Sequence, residues 1–563
     1  MAEYEKSQRS DEYYHPGGVD AERAAGGSNS DKKEPADEGN YTVDSASDYS
    51  ANEKRDLQKG LSQRHLSMIA LAGSIGTGLF LSLGGSIATG GPLGSLLAYF
   101  FIGLIVCAVQ FALGEVTALV PVTGSFVRHS ELLADPALGF ALGWNIVYGN
   151  WLSVPSEISA ICVLIAFWRP DLNASIWIVV FIVITAMVAF AKVRYFGEIE
   201  FGFAIIKILL IVGLIIFGLI TACGGIKGVE RVGFRYWKHP GPFVPYIAEG
   251  SWGRFLGFWA VLINAIFSFS GAESVAMAAA ETRNPRQAIP KAVKRVFARI
   301  TIFYVLSVLI VGMLVSSDDP RIQDDSGTAA TSPFVIAASA AGIKAIPSIV
   351  NAVVITSAWS ASNQALLAGS RVLYGLAVKR HAPRIFLRTT SWGVPYVAVS
   401  TFILFSFLAF MSLSSGALTV FYWFINLVGC GVLISWSAIL FNHLRLHAAL
   451  RKQGISPKRL PWHNAWTPYA SAVGLFFTIL LLLTNGFRVF TKGNWSAAGF
   501  ITSYLDIGLV AAAYTIWKLV KRTKWVRLED IPLESILREI ERNPEEPDNQ
   551  SKGWIKIISW LWD

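Results

Sequence analysis

Long apolar segments alternate with short polar ones through most of this chain of 563 residues. The apolar segments recur about every 30 to 40 residues, and each is roughly 18 to 28 residues long. A helix of that length crosses about 30 Å of hydrocarbon, because it rises about 1.5 Å per residue. The pattern predicts about twelve membrane-spanning helices, which begin near His65, Ser95, Gly139, Ala174, Glu200, Arg254, Ile300, Ser348, Pro395, Ala417, Trp466 and Ala498.

The composition agrees with a membrane protein and separates two tails from the apolar region. Hydrophobic residues make up 53% of the chain and charged residues only 15%, too few for the surface of a soluble protein this long. Residues 1–60 are polar and predict a disordered cytoplasmic tail without a signal peptide. Residues 61–525 form the predicted transmembrane domain. Residues 526–563 form a cytoplasmic tail, with an acidic amphipathic helix from Leu528 and a tryptophan-rich end that lies on the membrane surface.

The distribution of basic residues predicts the orientation of the spans. With the first residue placed in the cytoplasm, the inside loops hold about eighteen lysines and arginines, and the outside loops hold about eight. The positive-inside rule therefore places both termini in the cytoplasm. The four cysteines fall within spans or at their ends, where they resemble small apolar residues. The sequence predicts no metal site, no cofactor and no nucleic-acid partner, although the net charge is +9.

Glycines interrupt the first apolar segment where a continuous helix is expected. Gly73, Gly76 and Gly78 lie together there, and each weakens a helix by about 1 kcal/mol relative to alanine. Irregular backbone at membrane depth is tolerated where it is buried in protein or lines a polar cavity. One explanation of the glycines is therefore a binding site, and the other is close packing of helices through small residues.

A second interruption, five spans later, favours the binding site. Ser268, Ser270 and Gly271 lie in the middle of the sixth span, and Glu273 follows them. Interrupted helices at corresponding places in two halves indicate an inverted-repeat transporter with its site at the membrane midplane. The free N–H groups of an unwound helix suit a carboxylate, and its free carbonyl groups suit an ammonium. A pair of broken helices therefore suits both charges of an amino-acid backbone.

Four motifs of this sequence resemble those of one family, in the same order. They are RHLSMIALAGSIGTGLFLSLG, LGEVTALVPVTGSF, ETRNPRQAIPKAVKRVFARI and SAWSASNQALLAGSRVLYGLA. The chain resembles the fungal amino-acid permeases of the amino acid–polyamine–organocation superfamily from about residue 60 to residue 525. The resemblance implies an all-α membrane protein with a five-plus-five inverted repeat, broken helices 1 and 6, and two extra helices. It also implies proton-coupled uptake of amino acids at the plasma membrane.

The resemblance also implies which residues bind the substrate. The family's carboxylate-binding loop corresponds to six residues of the first span, Gly73, Ser74, Ile75, Gly76, Thr77 and Gly78. Its ammonium-binding segment corresponds to four residues of the sixth span, Phe267, Ser268, Phe269 and Ser270. Ala272 stands where the family usually has threonine. Further candidates for the walls of the pocket are Glu157, Asn363 and Trp423.

Ionisable side chains within spans are costly and indicate function. Lys207, in the middle of the fifth span, has apolar or small neighbours on both sides and cannot easily reach water. The resemblance implies that Lys207 stands at the position where sodium-driven relatives bind a sodium ion. Two alternatives stay open, since Lys207 either carries the coupled proton or forms a permanent structural ion pair with a glutamate. Glu157 and Glu273 are the other candidates for proton coupling.

Three further ionisable residues are interpreted as structural. Glu115, in the second span, is expected to bridge helices. Glu281 is expected to hold the basic loop that follows the sixth span, and Arg371 is expected to make packing or gating contacts. Lysines of the N-terminal tail, such as Lys32 and Lys33, are candidate sites for ubiquitin-dependent trafficking.

The sequence as a whole favours a secondary transporter over the other classes of protein. We expect it to import neutral amino acids, or a broad range of them, together with protons. A sensor with the same fold and a permease narrowly specific for proline, acidic or basic amino acids are the alternatives. An enzyme is not expected, because the sequence has no nucleophile elbow, and GSIGTG lies within an apolar span instead of a phosphate loop.

Overall fold

The regular structure of the described part of the chain is helical. The computed structural model describes residues 77–80, 82–122, 124–191, 193–226, 230–271, 273, 284–322, 332–340, 342–343 and 345–545. Several predicted features lie outside these residues, namely the N-terminal tail, Gly73, Ser74, Ile75, Gly76, Glu281 and the tryptophan-rich end.

The helices are labelled here in chain order. The first half contains α1 Thr77–Phe80, α2 Ser82–Leu119, α3 Ser125–Leu133, α4 Pro136–Ile165, α5 Ala174–Phe190, α6 Val193–Ala222, α7 Arg235–Lys238 and α8 Gly250–Ser268. The second half contains α9 Pro285–Leu314, α10 Pro333–Ala340, α11 Ala345–Val378, α12 Tyr396–Ser406, α13 Ser412–Ser415, α14 Ala417–Lys452, α15 Thr467–Leu483, α16 Ala497–Lys521 and α17 Leu533–Arg542. Short 3₁₀ turns cover Arg384–Leu387, Phe407–Met411, Pro457–Arg459 and Phe487–Phe490.

Several helices have the properties of membrane spans. Six in the described residues are long and apolar enough to cross a bilayer, namely Ser82–Leu119, Tyr195–Ala222, Ala345–Val378, Tyr396–Ser415, Ala417–Lys452 and Ala497–Lys521. Three shorter helices are also apolar, namely Ala174–Phe190, Phe303–Leu314 and Thr467–Leu483. The prediction of an all-α, multi-pass membrane protein is confirmed. The count of twelve spans stays a prediction, because part of the chain lies outside the described residues.

Two helices begin well before the positions predicted from hydropathy. The seventh span was expected near Ile300, but α9 begins at Pro285. The fifth was expected near Glu200, but α6 begins at Val193. An apolar segment marks only the part of a helix that lies in hydrocarbon, whereas polar turns extend it beyond that part. Pro285, the first residue of α9, marks the start of this helix better than hydropathy does. Proline has no backbone N–H, and the N–H groups of a first turn have no acceptor within the helix.

The predicted interruption of the sixth span is confirmed. Helix α8 ends at Ser268, and Gly271 has a φ of 84°, which a residue with a side chain rarely adopts. In the first half, α2 is kinked at Gly91, where φ is 76°, and Pro92 follows. This kink separates the last turns of the first span from the second span.

The packing joins helices from the two halves. Helix α2 packs along α8 and α9, and α4 packs along α11 and α14. The closest approach of α2 to α8 lies at Gly90 and Gly257, where a side-chain carbon on either residue would clash with the other helix or the loop before it. A central hydrophobic core includes the buried rings of Tyr99, Trp436 and Phe421. The small residues therefore let the helices that flank the interruption pack tightly.

The C-terminal segment packs against the transmembrane domain. Helix α17 confirms the amphipathic helix expected after Leu528, and it buries Leu533, Ile536 and Leu537 against the ends of α2 and α14. Arg459 forms an ion pair with Glu534 at 2.7 Å. The hydrogen-bonded Arg459 guanidinium lowers the pKa of that exposed carboxyl, so the pair stays charged further into the acid range than an isolated glutamate would.

The last described residues cap another helix. The carboxylate of Glu545 accepts hydrogen bonds from the backbone N–H groups of Arg286 and Gln287, at 3.1 and 3.2 Å. These N–H groups lie in the first turn of α9, where helices leave donors unpaired and where a negative charge is favourable. The C-terminal segment therefore joins the ends of α2 and α14 to the beginning of α9.

The crossing at Gly257 leads to a prediction about stability. In Gly257→Ala the new methyl carbon would lie 2.6 Å from the Thr89 carbonyl oxygen and 2.8 Å from that of Val244. Backbone cannot move aside cheaply, so we expect overpacking to lower the free energy of unfolding by about 1 to 3 kcal/mol. The measurement is the thermal midpoint of the purified protein in detergent.

Gly213→Ala is the matched control for this experiment. Gly213 also lies within a helix, and a methyl carbon there meets no atom within 4 Å. Its helix should be unchanged or slightly stabilised, because alanine favours helix over glycine. Equal thermal midpoints for the two variants would contradict the packing described at Gly257.

Candidate functional site

Helix α1, at the end of the predicted carboxylate-binding loop, contacts a buried glutamate on α4. Thr77, the first residue of α1, directs its hydroxyl at the Glu157 carboxylate, with distances of 3.2 Å to Oε1 and 3.1 Å to Oε2. Both side chains are buried. Of the predicted carboxylate-binding loop, only Thr77 and Gly78 lie in the described residues. Glu157 therefore lies at the end of that loop, and its part in the substrate site stays a prediction.

The two broken helices touch at Gly78 and Ser268. A side-chain carbon on Gly78 would lie 2.9 Å from both Cα and Oγ of Ser268, and 3.1 Å from the Phe267 ring. A side chain at position 78 would therefore force the helices apart. The structure brings together one residue of the predicted carboxylate-binding loop and two of the predicted ammonium-binding segment.

Two tyrosines hold the end of α8. The Tyr304 hydroxyl donates to the Ser268 carbonyl oxygen at 2.5 Å, and the Tyr99 hydroxyl lies 3.2 Å from Ser268 Oγ. The Phe269 ring is buried against Tyr304, with ring centroids 4.5 Å apart. The Ser270 N–H donates to the Phe267 carbonyl. In this conformation the carbonyl groups of Phe267 and Ser268 already accept hydrogen bonds, and Phe269 serves packing.

A hydrogen-bonded network surrounds Lys207. Its Nζ donates to Ser360 Oγ on α11 at 3.0 Å, and Ser360 in turn donates to Glu200 Oε2 at 2.6 Å. Gln364, one turn further along α11, donates to the same carboxylate oxygen at 2.7 Å. Lys207, Glu200 and Ser360 are all buried. The network therefore joins α6 to α11 and gives the buried lysine a partner through a hydroxyl group.

Lys207 also interacts electrostatically with both buried glutamates, Glu200 and Glu157. Because Glu157 contacts Thr77, polar and charged groups extend from the first broken helix to α11. Glu273, the third residue expected to take part in proton coupling, contacts a different helix, α14. Its Oε2 accepts a hydrogen bond from Trp436 Nε1 on α14 at 3.3 Å.

The candidates for side-chain selectivity lie on α11 and α14. Asn363 is buried, and neither its amide nitrogen nor its amide oxygen has a hydrogen-bond partner among the described residues. A buried amide without partners is costly, so ligand binding at this residue is chemically reasonable. Trp423 is partly buried and packs against the central core. The role of each in the pocket stays a prediction.

Glu200 was missed by sequence reasoning, although the sequence carries a signal for it. Glu200 precedes Lys207 by seven residues, which is about two helical turns and places both on one face. The apolar pattern predicts the start of a span near Glu200, whereas α6 begins seven residues earlier at Val193. Glu115 does bridge helices, as expected, since it contacts His447 on α14. Arg371 lies partly buried on α11.

Apolar helices, an interrupted helix and a buried charged network together define a helical, multi-pass membrane protein. The fold is similar to that of a solved manganese transporter from Eremococcus coleocola, with a TM-score of 0.53. That comparison covers 82% of this chain and 94% of the other at 10% identity, so it concerns the fold alone. The chain belongs to the amino acid permease family, whose sequence model matches residues 65–529.

Named fungal permeases are similar to this chain over nearly its whole length. The dicarboxylic amino acid permease of Saccharomyces cerevisiae is 36% identical over 526 residues, which cover 91% of this chain and 86% of that protein. The proline-specific permease of Emericella nidulans is 39% identical over 514 residues, which cover 90% of this chain and 93% of that protein. Relatives named for different substrates are thus about equally similar to this chain.

The network at Lys207 leads to a prediction about Ser360. In Ser360→Ala the ammonium loses an acceptor and Glu200 loses a donor, while little volume changes. Leaving buried polar groups unpaired costs about 1 to 3 kcal/mol each, and more where they are charged. We therefore expect a lower thermal midpoint and weaker amino-acid uptake at an unchanged amount of protein in the membrane.

Ser370→Ala is the control on the same helix. Ser370 is buried too, but its hydroxyl donates to the Leu367 carbonyl of its own helix. Removal of such a bond should leave uptake close to that of the unaltered protein. If Ser360→Ala and Ser370→Ala are equally stable and equally active, the contacts at Lys207 do not support transport.

Proposed function

We propose that this chain imports amino acids across the plasma membrane by proton symport, with both termini in the cytoplasm. Membership of the amino acid permease family supports an amino-acid substrate. The single observation that supports the coupling is the buried group of Glu157, Glu200 and Lys207. Transport then proceeds by movement of the broken helices relative to the helices that hold these charges.

The charges in this buried group do not balance. If both carboxylates are ionised beside the Lys207 ammonium, one negative charge remains in a region shielded from water. Such a charge is costly unless a cation or a proton neutralises it. A proton can do so from outside the cell, and so can the ammonium group of an amino acid. Two species that compete for the same negative charge would exchange, so symport also requires a second group that takes up the proton, and Lys207 is the candidate that the Lys207→Met variant tests.

The broken helices supply the proposed substrate contacts. We assign the carboxylate of the amino acid to the candidate loop of residues 73–78, because α1 begins at Thr77 and the N–H groups at the start of a helix favour an anion. Its ammonium group lies near the end of α8. The Ser268 carbonyl oxygen already accepts a hydrogen bond from Tyr304. We therefore assign the substrate ammonium to the Glu157 carboxylate, which contacts Thr77.

The proposed substrates are neutral amino acids or a broad range of them. The backbone contacts above serve any α-amino acid, so selectivity falls to side chains such as Asn363 and Trp423. Relatives of comparable identity are named for dicarboxylic amino acids and for proline, which agrees with one framework that holds different substrates. Uptake of a panel of labelled amino acids in a permease-deficient fungal host would identify the substrate.

The energy source is tested in the same host. We expect uptake to rise as the external pH falls and to collapse when a protonophore is added, because the proton gradient drives accumulation. Replacement of sodium by choline should have no effect, since the Lys207 ammonium supplies a fixed positive charge beside Glu157 and Glu200. Strict dependence on sodium would contradict the proposal.

Lys207→Met separates a coupling role from a structural one. Methionine keeps an apolar stem of similar length and removes the charge, while Ser360 and Gln364 still donate to Glu200. If Lys207 takes part in coupling, the variant should exchange external for preloaded amino acid but lose accumulation against a gradient. If Lys207 is half of a structural pair, the stranded carboxylate should cost about 3 to 5 kcal/mol and reduce the amount at the cell surface.

The double variant Lys207→Met with Glu200→Gln removes both charges together. It should restore the surface level in the structural case, because the carboxylate that pairs with Lys207 through Ser360 is removed with it, while Thr77 still donates to Glu157. In the coupling case it should still exchange but not accumulate substrate. A single variant that is well displayed and accumulates amino acid against its gradient would contradict both roles and leave Glu157 or Glu273 as the coupling residue.

A further inference from the structure

A second buried cluster of ionisable side chains lies away from Lys207, between α2 and α14. Glu115 comes from α2, and His443 and His447 come from α14, four residues apart and therefore on one face of the helix. The side chains of Glu115 and His443 are fully buried, and that of His447 is 13% exposed. Sequence analysis predicted no metal site, and it passed over the spacing of these two histidines.

The donor atoms converge. His447 Nε2 lies 2.7 Å from Glu115 Oε1, and His443 Nε2 lies 3.5 Å from Glu115 Oε2. One ligand atom from each of the three residues lies within 4.8 Å of the other two. Bonds of about 2.0 to 2.1 Å to a tetrahedral zinc ion place ligand atoms about 3.3 Å apart. Small side-chain rotations therefore bring this set to zinc geometry.

Two of these atoms lack a hydrogen-bond partner. Glu115 Oε2 and His443 Nε2 face each other at 3.5 Å, and both are without a hydrogen bond in the part of the chain that the structure describes. Leaving such atoms buried and unpaired is costly. A cation between them would satisfy both, since each carries a lone pair.

A third helix orients one of the histidines. Ser471 Oγ on α15 lies 3.0 Å from His443 Nδ1. A hydrogen bond at Nδ1 fixes the ring, and it directs Nε2 at the carboxylate. Histidines that bind metals usually have such a partner on the other ring nitrogen. The ring is therefore positioned for binding before any metal arrives.

We propose that Glu115, His443 and His447 bind a zinc ion that clamps α2 to α14. Two imidazole nitrogens and one carboxylate oxygen are a donor set that zinc favours. Magnesium and calcium prefer sets made of oxygen atoms alone, and this set is not of that kind. The partly exposed side of His447 leaves room for water as the fourth ligand. The site is independent of the amino acid that the protein carries.

Metal content is the first test. The full chain is purified in detergent through an affinity tag without histidine, exposed to zinc, and dialysed before elemental analysis. We expect about one zinc ion per chain, and visible absorption bands of four-coordinate cobalt when cobalt replaces zinc. His463→Ala, a partly buried histidine outside the cluster, should retain the ion. Glu115→Gln, His443→Ala and His447→Ala should lose it.

A variant outside the ligand set sharpens the test. Ser471→Ala keeps all three donors and removes only the partner of His443, so zinc should bind about 10- to 100-fold more weakly. Zinc should also raise the thermal midpoint of the unaltered protein and of His463→Ala, but not that of His447→Ala. If His443→Ala does not fold, His447→Ala at the partly exposed position still gives the comparison.

Two results would overturn the proposal. One is a purified protein that retains no zinc and gains no stability from it, in which case protons alone hold the cluster together. The other is zinc retained equally by the unaltered protein and by Glu115→Gln or His447→Ala, which would place the ion elsewhere. Neither result bears on amino-acid uptake, so it would leave the proposed transport function untouched.

Discussion

The cost of burying charge away from water constrains the arrangement of these helices more than any other interaction. Lys207 and Glu200 lie on α6, Glu157 on α4 and Ser360 on α11, and all are buried. Buried ions recover their lost solvation only where the geometry of their partners is good. Hydrogen bonds join α6 to α11, and Glu157 on α4 interacts with the charge of Lys207, so movement of one helix changes the balance of charge in the others.

Helix α1 contacts this network through Thr77, and two tyrosines hydrogen-bond to Ser268 at the end of α8. Thr77 connects the first broken helix to Glu157, so a ligand that displaces the loop also changes the surroundings of that carboxylate. Tyr99 and Tyr304 hold Ser268 at the end of α8, and Gly78 lies against Ser268 with no room for a side chain. Helix α1 and the end of α8 therefore have little room to move independently where they touch, and Thr77 links this contact to the buried carboxylate of Glu157.

Much of the fold could be predicted from the sequence, whereas the long-range contacts of the site could not. The bilayer imposes a length on each span, and Ser268, Ser270 and Gly271 interrupt one in a visible way. Lys207 stands out because its neighbours are apolar. Ser360 and Gln364, however, lie 153 residues from Lys207 and 164 residues from Glu200, respectively, and no local pattern pairs them. Glu115 and His447 are 332 residues apart and meet only through packing of α2 on α14.

The two buried clusters solve the same electrostatic problem with different chemistry. At Lys207 an ammonium group lies among two carboxylates, and a hydroxyl and an amide donate to one carboxylate oxygen of Glu200. At Glu115 the ion-pair partners in the described residues are histidines, which carry a positive charge only when protonated. A neutral histidine donates a hydrogen bond to the carboxylate when its proton is on Nε2, whereas an unprotonated Nε2 directs a lone pair at it, and that repulsion is relieved only if a proton or a metal ion lies between them. A cation that binds at Glu115 would therefore join α2 to α14. Helices α6 and α11 are joined instead through an ammonium group that the sequence itself supplies, that of Lys207.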